Sequence, residues 1–224
     1  MADVIPALDN ADAERLLVAM HARPGCDTAA LAGTVAMRVR YLQKREFPSY
    51  ARAGRGRRTR HDVDGALRLV TAFELLAAGI APARTAVTVE GNWWILSRVL
   101  VASWRAARMM AGGDADPAAQ AAAGRLRRIV LLDPLELHGD EAPVPVQIAR
   151  PDDDLWRAAE PDGLERCFLV LEPLRVVTRF MAAMRDELRY RDPELDLGFR
   201  AMGAAAFGTS DEAVWGVEDH ADAA

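Results

Sequence analysis

The chain has 224 residues and a formal net charge of −5, with 51% apolar and 6% aromatic residues. That length and apolar content allow a sizeable core in one large domain or two small ones, and the many alanines favour helices over strands. Two cysteines set far apart, Cys26 and Cys167, exclude a disulfide framework, and the most apolar window, 93–102, is too short and too interrupted (Ser97, Arg98) to cross a bilayer.

The first residues, MADVIPALDNADAERLL, lack a basic stretch followed by an apolar run, so no signal peptide is predicted and a reducing cytoplasm is the expected compartment. Residues 11–21 read as a short helix with Leu16, Leu17 and Met20 on one face, capped by Asp9 or Asn10 and ended by Arg23-Pro24-Gly25. A second helix is expected over 27–32, a tight turn at Gly33-Thr34-Val35, and a third helix over 36–45. There Val35, Val39 and Leu42 face the core, and Arg38, Arg40, Lys44 and Arg45 face outward. Residues 52–60 hold Arg52, Arg55, Arg57, Arg58 and Arg60, with Gly54 and Gly56 between them, a composition suited to a tight hairpin.

A longer helix begins near 62–64, carries Leu67, Val70, Leu75 and Leu76, and ends at Gly79 with the apolar Ile80 after it. Ala81-Pro82 opens another short helix, and Gly91-Asn92 breaks it. Residues 93–110 form a helix with Trp93, Leu96, Leu100, Trp104 and Ala107 on one stripe, followed by a linker over 111–117. Strands are expected at 128–132, 144–148 and 166–171, and an amphipathic helix at 173–189 (Leu174, Val177, Phe180, Met181, Met184, Leu188). The tail, 209–224, carries five acids and no Lys or Arg around Trp215 and is expected to be disordered; it either stays solvated or docks on a basic surface.

Charge is divided unevenly. Residues 26–70 hold ten bases against four acids, a net of +6 that leaves −11 for the rest. A basic module joined to an acidic one fits nucleic-acid binding by one end only. Lys44 is the single lysine. Arginine suits phosphate and guanine recognition, although the overall arginine bias is what a GC-rich coding sequence gives and argues nothing alone.

In order and spacing, residues 26–87 resemble the DNA-binding domain of the MerR family. The features are Gly33 in a turn, the Arg40-Tyr41 pair on the second helix, the Arg/Gly wing, His61-Asp62-Val63-Asp64 before the long helix, and 75–80 at its end. The resemblance implies a winged helix-turn-helix over this stretch, and with the strand and helix patterns of the second half the expected fold is mainly α: a winged helix-turn-helix followed by a helical or small α+β C-terminal domain. It implies double-stranded DNA as partner, read by the second helix in the major groove, with the wing on the backbone or minor groove. The implied DNA-binding residues are Val35, Met37, Arg38, Arg40, Tyr41, Lys44, Arg45, Arg52, Arg55, Arg57, Arg58 and Arg60, with Arg38 the foremost candidate for a guanine contact.

The expected organisation is an N-terminal helical extension (1–25), a winged helix-turn-helix (26–90), a dimerisation or effector domain (91–208) and the acidic tail. The helices at 93–110 and 173–189 are the candidates for self-association as a homodimer; RNA polymerase or another protein is a further possible partner of this half. The histidines are scattered and only Cys167 lies in the second half, so no metal or other cofactor is expected. No nucleophile elbow, P-loop or metal-ligand cluster is present in the sequence, so an enzyme is not expected. Two readings stay open: a sequence-specific transcriptional regulator, and an architectural or recombination-type DNA-binding protein of the excisionase kind.

Overall fold

The computed structural model describes residues 5–49, 59–112, 117–126, 128–132, 143–149 and 169–208. Arg52, Arg55, Arg57 and Arg58 of the expected wing, Cys167, and the tail with Trp215 lie outside the described residues. The elements in chain order are α1 (Asn10–His21), α2 (Thr28–Lys44), α3 (Val63–Ala77), α4 (Pro82–Gly91), α5 (Trp93–Gly112), α6 (Pro117–Leu126), β1 (Ile129–Leu132), β2 (Val146–Ala149), β3 (Leu169–Leu171), α7 (Pro173–Asp186) and α8 (Asp192–Phe207). The fold is mainly helical with one small sheet.

Short polar side chains start the first three helices by taking up backbone N–H groups that a helix leaves without partners. Asp9 accepts from Asp12 N at 2.9 Å, Asp27 from Ala29 N at 2.9 Å, and Asp62 from Gly65 N at 2.9 Å. α3 ends as expected: Gly79 takes a left-handed φ of +91°, and the N–H of buried Ile80 reaches back to Leu75 O at 3.1 Å.

α3 is the centre of the molecule. Eleven of its residues are buried, so it is apolar almost all round. It packs against α1, α4, α7 and α8. Gly198 lets α8 approach closely, because a Cβ there would collide with the Val63 side chain. Farther along, Trp104 of α5 stacks on Phe199 of α8 (5.3 Å between centroids), and Phe180 of α7 meets the same ring edge-on at 6.0 Å.

The sheet has the order β2-β1-β3 and is antiparallel throughout, with Val130 opposite Ile148 on one side and Leu171 on the other. Strand alternation splits β1: Val130 and Leu132 join the main core, and Ile129 and Leu131 form a second cluster with Ala149. The three expected strands are therefore present, within a few residues of their expected limits.

One hydrophobic core runs without a break from Leu8 to Met202 and takes in α1, α2, α3, α5, α7 and α8. The apolar faces of α5 and α7, the two candidates for self-association, pack on each other inside that core. What remains outside on α5 is Trp94 (63% exposed), Met109 and Met110.

Candidate nucleic-acid interface

The expected turn at Gly33-Thr34-Val35 is corrected by the structure: Thr28 to Lys44 is one uninterrupted helix. Gly33 has no left-handed φ, and the Thr34 hydroxyl donates to Ala30 O at 3.0 Å inside the continuous ladder. The reason is energetic. A glycine inside a helix costs only about 1 kcal/mol. Burying Val35, Val39 and Leu42 on one helical stripe outweighs that several times over. The loop that precedes α2 is 22–27, and the helix before it is α1, whose buried Leu16, Leu17 and Met20 share the core with α2.

A second correction concerns Val35. It is 2% exposed and packs in the core with Val39 and Leu42, not on the outward face. The opposite, outward face of α2 carries Gly33, Ala36, Met37, Arg40, Tyr41 and Lys44, which line one shallow open groove. Met37 is 64% exposed and Tyr41 39%. Arg45 stands beside them: its Nη2 donates to the Tyr41 hydroxyl at 3.2 Å, and its guanidinium lies 5.6 Å from the ring centroid. That contact orients both side chains along the helix surface.

Arg38 is less outward than expected. It is half-buried on the flank of α2 and lies near enough to His21 to disfavour protonation of that imidazole. The outward groove belongs to Met37, Arg40, Tyr41 and Lys44 instead.

The ends of the arginine-rich segment are both held. At the far end, Leu8 and His61 exchange two backbone hydrogen bonds of 2.7 Å each, an antiparallel bridge. Arg60, exposed, is adjacent to this bridge. Asn10 Oδ1 then accepts from Gln43 Nε2 at 2.9 Å and lies 3.3 Å from His61 Nε2, so one amide ties the start of α1 to the end of α2 and to the bridge. His61 is buried, and burial holds its imidazole below the usual value of 6.5, with Asp62 opposing.

At the near end, the backbone N–H of Ser49 donates to Glu90 Oε1 at 2.8 Å. The other oxygen of Glu90 accepts from Arg68 at 2.6 Å, Arg68 donates to Asp64 at 2.9 Å, and Asp64 accepts from Trp93 Nε1 at 2.8 Å. The Arg68 guanidinium also covers the Trp93 ring at 4.7 Å. The chain of contacts therefore links the loop, α4, α3 and α5. Asn10, Gln43, Ser49 and Glu90 carry no sequence signal for this, since their contacts join segments far apart in the chain and follow no helical or strand period.

Chemically, the outward face of α2 offers two cations, a phenol, a thioether and small residues that admit close approach. That suits a polyanion with readable edges better than a small apolar ligand. Among the described residues no group of His, Cys, Asp and Glu is arranged to hold a metal ion, and no helix is long and apolar enough to cross a membrane. No family model matches the chain, and neither a curated protein nor a solved structure matches it.

Proposed function

We propose that this chain is a double-stranded-DNA-binding transcriptional regulator of winged helix-turn-helix type. In this reading α1 and α2 are the helix-turn-helix pair, and α2 enters the major groove through Met37, Arg40, Tyr41 and Lys44. The arginine-rich segment, with Arg52, Arg55, Arg57, Arg58 and Arg60, lies on the backbone or in the minor groove. The observation that carries the reading is the outward face of α2, basic and aromatic on a helix whose other side is core, in a chain whose arginine-rich stretch is flanked by two held residues, Ser49 and His61. The uneven charge of the sequence supports it independently.

A homodimer belongs to the same reading, because paired half-sites multiply the affinity of one small module. Selection of bound duplexes from a fragmented genomic library, followed by footprinting with the purified chain, tests the proposal. Recovery of promoter fragments with a discrete footprint supports a regulator. Recovery of attachment sites supports the recombination reading instead, and no enrichment at all contradicts both.

A further inference from the structure

A second cleft, of about 520 Å3, is lined by the end of α1 (His21), the loop after it (Arg23), α3 (Glu74) and the first turns of α7 (Arg175, Arg179). Its donors outnumber its acceptors. Three guanidiniums meet two carboxylates, Glu74 and Glu172. Glu74 is already engaged, accepting from Arg179 Nη1 at 3.3 Å. The side chains of Arg23 and Arg175 make no ion pair or hydrogen bond with any described residue.

Two further groups face the same shortage. His21 Nε2 is buried with no hydrogen-bond partner, 4.0 Å from Glu74 Oε1. α7 begins with Pro173 in its first turn, and its N-cap Glu172 supplies no side-chain cap, so the positive end of a 14-residue helix opens here. Arg23 and Arg175 reach the cleft from segments far apart in the chain, and with Arg179 against the two carboxylates they leave it a surplus of positive charge that favours an anion. A carboxylate offers two oxygens. Donors arriving from a loop, a helix end and an imidazole come from different directions, and a phosphate group, with more oxygens and up to two negative charges, meets them better than a planar carboxylate does.

We propose that the cleft between the α1–α2 loop and the start of α7 binds a phosphate-bearing small molecule. The bound phosphate bridges Arg23 and Arg175 and so fastens the loop that leads into α2 to the C-terminal half of the chain. The proposal goes beyond the DNA-binding reading and stands without it.

Calorimetric titration of the full chain with inorganic phosphate, at ionic strength matched with chloride, tests it. Saturable single-site binding is expected, weakened about tenfold by Arg23→Ala and by Arg175→Ala, because each removes a charge-assisted contact. Both residues are exposed, so the thermal midpoint without phosphate should not move. The His21 ring resonance should shift during the titration. Heats no larger than those of chloride, or a double variant that binds phosphate like the wild type, would overturn the proposal. So would a wild-type chain that ignores phosphate while the double variant loses affinity for duplex DNA, since the two arginines would then serve backbone phosphates.

Discussion

The backbone N–H of Ser49 and the Glu90 carboxylate meet at 2.8 Å, and through that contact the end of α4 holds the chain where the arginine-rich segment begins. Glu90→Ala removes an acceptor from both Ser49 and Arg68, while Arg68 keeps Asp64. The expected stability loss is about 1–3 kcal/mol, the cost of leaving a partly buried donor unmatched. Urea unfolding measures it. Under the proposed function the same variant should also bind duplex DNA several-fold more weakly. An unchanged unfolding midpoint would mean that the contact holds nothing.

Gly33 gives a test of the course of α2. In the structure the position is mid-helix, with an ordinary φ and nothing within 4 Å of an added Cβ. Gly33→Ala should therefore stabilise the chain by about 0.5–1 kcal/mol. Were the chain to turn here with a left-handed backbone, the same substitution would destabilise it. Thermal unfolding decides between the two by sign alone.

That position also shows where the sequence was legible and where it was not. The helix at 173–189 stood out because Val177, Phe180, Met181 and Met184 repeat at helical spacing, and all four are buried. The start of the first helix at Asp9 or Asn10 and the exit of the long helix at Gly79 follow from local chemistry; the structure settles the first on Asp9 and bears out the second. Gly33 reads as a turn on local chemistry, but its cost inside a helix is only about 1 kcal/mol, and the buried stripe of Val35, Val39 and Leu42 is best kept by one continuous helix. Charge does not separate Arg38 from Arg40, yet the first is half-buried on the flank and the second exposed, a difference set by where each falls around the helix. The Leu8–His61 bridge and the Asn10 and Glu90 contacts join remote segments at isolated positions, which leave no periodicity to read.

The two faces of α2 should separate stability from binding. Leu42→Ala empties a fully buried site and should cost about 2–5 kcal/mol. Met37→Ala should change stability by less than about 0.5 kcal/mol, because the side chain is 64% exposed. On the proposed function Met37→Ala should nevertheless weaken binding to a selected duplex. A Met37→Ala variant that unfolds early would show that this side chain packs in the protein.

Stability should fall in mild acid. Burial is the main cause that holds both His21 and His61 below the ordinary imidazole value of 6.5. Glu74 opposes it at His21, while Arg179, Arg38 and Arg23 reinforce it. The unfolded chain therefore takes up protons before the folded one does. The stability contributed by the neutral rings is complete above 6.5 and is lost as the pH falls through the lowered folded-state values. Urea midpoints followed from about pH 7.5 down to about pH 5 should drop, and His61→Gln should flatten the slope. A midpoint that rises on acidification would contradict the assignment.

The central claim is that the outward face of α2 binds duplex DNA, and its most direct measurement is the salt dependence of affinity for a selected duplex with Arg40→Ala and Lys44→Ala. Both side chains are exposed, so each variant should fold normally. Each should bind more weakly than the wild type, and removal of a phosphate contact should lower the magnitude of the log–log salt slope by about 0.9. If both variants bind the selected duplex with wild-type affinity and wild-type slope, α2 does not meet DNA and the account is wrong.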